Sequence, residues 1–466
     1  MKCLANAFAV LVGCLWGCLP VLGAPSNQVI TLEQAISLAL KNDPWLHGSE
    51  LKQDAANYRR VAARTWSNPK VSIGMMNLPT NSFSLNQEAM TQFNVGVSQL
   101  LPRGDSLAIK ESQLKIEAFK FTQLRNDRKA RLTTSVTELW LDAYLAQQTI
   151  ALIESDRMLF EQMAEVAKAS YAAALGSTRQ QDVIRADLEI IQLEDRLVSQ
   201  KQLLESATAQ LSEWFQSYDN EAQGYSFNSN FQSQFQSFSL TDSVPSIELV
   251  SPDAADTSSY AREKMAQILI THPAVKAIEQ KRKVFEKTTE LAKQQYKPQW
   301  GVNASYGYRD DMPSGQSRAD FFSVGVTFDV PLFTKNRQDK EVAAAIAETQ
   351  AVKTEKLLLT KQMLSALETE IRQLARLRER QTLYKQGILQ QTNEQADASL
   401  TAYTNDDGDF SEVVRARIAV LNAQISALKI DVEALKTVAR INYFFAGTES
   451  KANQINFETQ MNAGAR

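Results

Sequence analysis

Cysteine is scarce in this chain: Cys3, Cys14 and Cys18 are the only three in 466 residues, and all lie near the start. Loss of a leading segment would leave no disulfide and no thiol chemistry. Histidine is scarcer still. His47 and His272 are far apart, and each sits near a proline that can open a helix. Glycine (17) and proline (12) are few, so long uninterrupted helices are permitted. Fifty basic residues face 53 acidic ones, without a basic stripe interleaved with aromatics, which argues against nucleic acid. Neither a P-loop, a dinucleotide glycine fingerprint nor a nucleophile elbow occurs. The sequence therefore predicts no enzyme, no cofactor and no metal centre. Met75-Met76 is the one soft-ligand pair, and adjacent strand residues face opposite sides.

The first residues have the form of an export signal, expected over 1–24: Lys2, an apolar run from Leu4 to Leu22, then Gly23 and Ala24 before a polar stretch. Leu11-Val12-Gly13-Cys14 resembles a lipoprotein box, which makes Cys14 a candidate lipidation site. Beyond this segment no run approaches the roughly 18 apolar residues of a membrane helix. Two destinations remain for such an exported chain: an aqueous compartment, or a membrane crossed by β-strands.

An internal duplication organises the rest. Asp43-Pro44 is echoed by His272-Pro273, and Pro69 by Pro298, an offset of 229 (298 − 69). Phe93-Asn94-Val95-Gly96-Val97 is echoed by Phe322-Ser323-Val324-Gly325-Val326, and Pro102 by Pro331, at the same offset. Each half runs helix, two short strands, very long helix, turn, second long helix. The first repeat is expected over 30–215, with strands about 69–77 and 90–99 and helices about 104–175 and 179–215. A Ser/Gln/Asn-rich linker or equatorial segment spans 216–260. The second repeat covers 261–446, with strands about 298–308 and 320–330 and helices about 335–403 and 410–445. A tail, 447–466, follows. Gly176 and Asn405-Asp406-Asp407-Gly408 mark the two helix–helix turns.

The four strand segments alternate apolar and small polar residues, as in Trp300, Val302, Ala304, Tyr306 and Tyr308 against Gly301, Asn303, Ser305 and Gly307. In lipid every backbone polar group needs a partner, so an open sheet is not viable there. Membrane barrels start at about eight strands. Four strands per chain therefore predict a barrel shared between chains, small residues facing the lumen and apolar ones the lipid, with Tyr306 and Tyr308 in an interfacial girdle. The same alternation also fits soluble hairpins packed on a helix. Polar loops at 77–89 and 309–319 are expected at the outer end. In the long first helix Leu132, Val136, Leu139, Ala143, Ala146, Ile150, Ile153, Arg157, Phe160, Ala164, Ala167 and Tyr171 follow a four–three spacing, a coiled-coil seam broken only at Arg157. Leu364, Leu367, Ile371 and Leu374 repeat the style.

This order, with Ile30-Thr31-Leu32-Glu33-Gln34-Ala35, Asn42-Asp43-Pro44, Trp66-Ser67-Asn68-Pro69 and Gln99-Leu100-Leu101-Pro102, resembles the TolC family of outer-membrane efflux proteins from about Ile30 to Phe445. The resemblance implies a mainly α fold with a membrane β-barrel portion: a homotrimer with a twelve-stranded barrel in outer-membrane lipid and a periplasmic α-helical tunnel. It implies a passive duct of a tripartite efflux or type I secretion system in a Gram-negative outer membrane. The implied partners are a periplasmic adaptor and an inner-membrane pump of the resistance-nodulation-division type, with metal cations a cargo some such proteins serve. The family often narrows its tunnel with acids at the start of the last long helix. Glu412 stands where such an acid is common, Arg415 departs from the pattern, and Asp406, Asp407 and Asp409 crowd the turn. Asp182 is the first-half counterpart of Glu412. In a trimer these residues would form negative rings favouring cations; the plainer reading is a solvated turn with helix caps. A periplasmic adaptor or an exported coiled-coil structural protein is the alternative. The duplicated hairpin speaks against the first, and the four strands against the second.

Overall fold

The computed structural model describes residues 29–172, 179–215, 239–250, 262–405 and 407–448. The export segment 1–24 with Cys14, the turn at Gly176, most of the linker 216–260, Asp406 and all but the start of the tail 447–466 lie outside them.

The first half opens with strand β1 (Val29–Ile30), then helices α1 (Leu32–Asn42) and α2 (Pro44–Ala63), strands β2 (Lys70–Met76) and β3 (Gln92–Leu100), and helices α3 (Ser106–Ala172) and α4 (Gln180–Ser212). A short strand β4 (Ser239–Leu240) precedes the second half. That half comprises α5 (Arg262–Ile270), α6 (Pro273–Gln294), β5 (Trp300–Tyr308), β6 (Phe321–Phe328), α7 (Gln338–Leu383), α8 (Leu389–Thr404) and α9 (Phe410–Phe444). A five-residue π turn, Tyr384–Ile388, carries α7 into α8. At 67 residues, α3 is about 100 Å long at 1.5 Å per residue.

Local chemistry sets the helix starts. Thr31 and Gln34 form a reciprocal capping box on α1. Asp43 caps α2 by accepting the Trp45 N–H at 3.1 Å, with Pro44 as first helical residue. Its repeat partner His272 caps α6 the same way, accepting the Ala274 N–H on Nδ1 at 3.2 Å before Pro273.

Three buried clusters hold the helices together, two side by side along the last part of α9 and the third farther along, at the start of α9. One gathers Met363, Leu367, Ile371, Leu374, Ile430, Val438 and Ile441 where α7 meets α9. A second surrounds Trp140, Leu141 and Val136 of α3 with Ile30, Leu32, Leu211 and Leu240. There β1 and β4 pair in parallel, and Gln147 of α3 bonds both the N–H and the C=O of Leu240. Part of the predicted linker is thus a structured strap across the middle of the helices. The third cluster joins Phe160, Ala164 and Ala167 of α3, Ala186 and Leu193 of α4, and Phe410 and Val414 of α9. Both helical hairpins therefore turn at the same end. Along the predicted seam of α3, Leu132, Val136, Ala143, Ala146, Ile153, Phe160, Ala164 and Ala167 are buried. Tyr171 is exposed, and Arg157 pairs with Glu161 at 2.8 Å and with Glu194 of α4 at 3.0 Å.

Polar contacts then fix the two halves against each other. Between the antiparallel α3 and α9, the Tyr443 hydroxyl donates to Asp127 at 2.9 Å, and Arg440 and Lys436 pair with Glu138 and Asp142.

Candidate conduit: an open sheet and an acidic helical tip

The strands β2, β3, β5 and β6 form one antiparallel sheet in that order, the two hairpins joined by β3 against β5. The sheet does not close on itself. The outer edges of β2 and β6 have no strand partner among the described residues.

Register sorts the residue types by face. Ile73, Val95, Tyr306 and Phe322 line up across the sheet, as do Val71, Val97, Ala304 and Val324. Because side chains alternate, these share one face with Met75, Phe93, Trp300, Val302, Val326 and Phe328. The opposite face carries Ser72, Gly74, Asn94, Gly96, Ser98, Gly301, Asn303, Ser305, Gly307, Ser323 and Gly325. Most of the apolar set is exposed, with Phe322 at 71% and Val324 at 69%. Met75 lies on the apolar face and Met76 on the polar one, so the two sulfurs do not converge.

Close approach explains the glycines of the small-residue face other than Gly74. A Cβ on Gly307 would meet Gln92 Oε1 at 2.0 Å, and one on Gly96 would meet Ser72 Oγ at 2.7 Å.

Aromatic residues sit at both ends of the apolar face. Phe93, Tyr306, Tyr308 and Phe322 lie near the loops; Trp300 and Phe328, ring centroids 4.8 Å apart, lie near the helices. The sequence pattern alone points only to the tyrosine belt. The second was visible as Trp300 opening one strand and Phe328 closing the next, but it takes the register to place them side by side. At the outer end Arg309 and Arg318 donate to the carbonyls of Ala89 and Glu88, tying the two loops together.

At the inner end, where sheet meets helix, Arg103 donates to the Lys297 carbonyl at 2.7 Å and pairs with Asp329, and Lys297 pairs with Asp105 at 2.9 Å. Below this, α3 of the first half packs on α6 of the second, with Gln113 Nε2 donating to Thr288 Oγ1 at 2.8 Å.

Farther down, α4 carries two apolar seams. Ala186, Leu193, Leu197, Ala207 and Leu211 are buried, whereas Ile184, Leu188, Ile191 and Val198 are 50–64% exposed. The exposed set has its own four–three spacing, interrupted by Asp195.

At the tip the predicted acids separate into two kinds. Asp407, Asp409 and Glu412 are exposed. Asp409 also caps α9, accepting the Ser411 N–H at 3.3 Å. Asp182 is buried, and its carboxylate accepts the Arg179 N–H at 2.8 Å at the start of α4. The structure thus engages Asp182 with its own helix. Arg415 is exposed on the same helix as Glu412. Behind them Arg417 of α9 pairs with Asp397 of α8 at 3.0 Å. Burial raises the Asp156 carboxyl on α3 above its ordinary value, and the Arg417 charge partly offsets this.

No family model matches the chain, and no curated protein matches it in sequence. Solved structures do. The outer-membrane channel OprN superposes with a TM-score of 0.70 at 14% identity, over 89% of this chain and 90% of its own. The outer-membrane protein VceC of Vibrio cholerae gives 0.69 at 14% identity, over 89% and 96%. The CmeC outer-membrane channel of Campylobacter jejuni gives 0.68 at 12% identity, over 89% and 86%. This chain thus shares its fold with outer-membrane channels of the TolC kind.

Proposed function

We propose that the chain is one of three identical copies of a passive outer-membrane duct, part of a tripartite efflux or type I secretion system. A twelve-stranded barrel spans the membrane and a helical tunnel extends into the periplasm. The observation that carries this reading is the sheet: a continuous apolar face, a small-residue face, aromatic belts at both ends and two edges unpaired among the described residues. In lipid those edges require strands from other copies. Since β6 runs antiparallel to β2, a ring of copies closes as an all-antiparallel barrel.

The joint inside the chain serves as a template for the joint between copies. Within the chain β3 meets β5 and α3 meets α6, each contact crossing from the first half to the second. Under the 229-residue offset the matching contacts are β6 on β2 and α7 on α2 of the next copy. Gln113 and Thr288 map to Val342 and Arg59. Apolar groups left bare in the single chain lie where this joint would cover them: Tyr58, Val61 and Trp66 on one side, Leu332 and Phe333 on the other. The second seam of α4 suits a tube wall, in which each helix has neighbours on both sides.

Asp407, Asp409 and Glu412 repeat in each copy and ring the tunnel tip, where they favour cations, metal cations included. Energy comes from an inner-membrane pump of the resistance-nodulation-division type, coupled through a periplasmic adaptor. An adaptor reading of this chain itself leaves its four-stranded sheet without a role.

The test is fractionation followed by electrophoresis without boiling. The duct predicts recovery with the outer membrane and a band of three chains that collapses to one on heating. Recovery as a water-soluble single chain overturns it.

A further inference from the structure

The duplication places different groups at one structural position. Asp43 and His272 cap equivalent helices, and each is buried. Arg128 pairs with the Asp43 carboxylate at 2.8 Å. Among the described residues no carboxylate bonds the His272 ring. Its Nδ1 accepts the Ala274 N–H at 3.2 Å, so the ring hydrogen sits on Nε2, which donates to the Tyr443 carbonyl at 3.0 Å. The imidazole is fully buried and meets the Tyr443 ring edge-on at 4.8 Å between centroids. Both nitrogens are satisfied only when the ring is neutral.

A proton on Nδ1 would turn the cap into a donor facing a donor. It would also put a positive charge at a helix N-terminus, the end that repels cations. The charged and titratable groups around the ring are Asp127 and Arg131 of α3, Lys276 of α6 and Tyr443 of α9. Of these side chains only Asp127 favours the protonated ring, and it is already engaged by Arg131 at 2.9 Å and by the Tyr443 hydroxyl at 2.9 Å. Burial first, then Arg131 and Lys276, lower the imidazole pKa from its ordinary value, against the Tyr443 carbonyl and Asp127, which raise it.

The neighbourhood gives the site a mechanical role. The Tyr443 carbonyl belongs to the last turn of α9, and the chain just beyond lies directly on the α5–α6 turn. A Cβ on Gly447 would meet the Thr271 carbonyl oxygen at 2.4 Å. We propose that His272 is an acid-sensitive anchor, holding the end of α9 to the start of α6 while its imidazole is neutral and releasing it when protonated. The other end of α9 bears the acidic turn, so the anchor fixes the helix that carries the tip. The proposal concerns this joint alone and stands whether or not the chain forms a duct.

The sign follows from linkage. A histidine whose folded pKa is depressed contributes stability that is complete above the unfolded value of about 6.5 and is lost as pH falls toward the folded one. The test is hydrogen exchange, read by mass spectrometry on the full chain in detergent. It is run from about pH 7.5 to about pH 4.5, spanning the ordinary imidazole value, with intrinsic rates corrected. Protection over 273–277 and 441–446 should fall several-fold on acidification, with a midpoint below the ordinary imidazole value. His272→Asn retains an acceptor and a donor but does not titrate, so its profile should be flat. His272→Gln provides a second variant should the first fail to fold. His47→Asn, the only other histidine, should keep the wild-type response. A flat wild-type profile overturns the anchor even without variants. So does an acid response that survives in the His272 variants or disappears with His47.

Discussion

Placing one arginine on either face of the sheet separates the two faces by energy. Val324 lies opposite Ala304, midway between the aromatic belts, on the apolar face; Ser323 beside it points the other way, opposite Ser305. A lipid-facing arginine at mid-depth in a barrel costs about 2–4 kcal/mol. Taking about 3, Val324→Arg should lower the folding equilibrium roughly 150-fold per copy. Three copies that assemble together would lose about 9 kcal/mol, if each contributes that cost. Ser323→Arg meets water in a lumen and should stay within about 1 kcal/mol of wild type. Urea titration of the barrel in lipid vesicles, followed by loss of the unboiled oligomer band, reads both. Equal losses for the two variants, or a larger loss for Ser323→Arg, would refute the assignment of faces.

Three further outcomes follow from single contacts. Hydrogen bonds from Arg282, against some desolvation and with help from Lys356, hold the Glu279 carboxyl at about 2, below its ordinary 4.5. That depressed value makes its contribution complete above pH 4.5 and lost as pH falls through about 2. Glu279→Gln should therefore cost about 1 kcal/mol at neutral pH, allowing for solvent screening, with the cost shrinking as pH falls from 4.5 toward 2 and vanishing below it, as read from thermal unfolding across pH. Gly408→Ala would bring a Cβ within 2.7 Å of the Tyr403 backbone nitrogen; it should destabilise the α8–α9 turn by about 1–3 kcal/mol, seen as faster proteolysis at the tip. Asp409→Asn keeps the helix cap and removes the charge, so with Asp407→Asn it should lower the cation preference of single-channel currents without changing stability. Asp182→Asn should leave selectivity unchanged.

Residues near in sequence announced most of the architecture. The alternation around Val302 and Tyr306 defined the strands, and the 229-residue echo predicted two equivalent hairpins before any pairing was known. What stayed hidden depends on contacts between distant residues. The β1–β4 strap uses two residues from each side, too short for a periodic signal. The ladder of Glu138 with Arg440 and Asp142 with Lys436 joins α3 to α9 across about 300 residues of sequence. Reading α3 as one seam blurred Tyr171, because this helix changes partners along its length: α2 and α6 near the sheet, then α9 and α4 toward the tip. His272 read only as a neighbour of Pro273; its burial against the end of α9 required the fold. At the tip, spacing alone made Asp182 and Glu412 equivalent, yet one is buried as a cap and the other exposed.

The central claim is that copies complete one another's sheet edges, and disulfide trapping tests it most directly. Arg59→Cys and Val342→Cys in one chain place new thiols at the proposed α2–α7 joint, while the native cysteines are confined to positions 3, 14 and 18. Oxidation in intact outer membranes should yield covalent dimers and trimers on a denaturing gel, with neither single variant giving trimers. Oxidised double-variant protein that runs only as single chains would contradict the shared barrel.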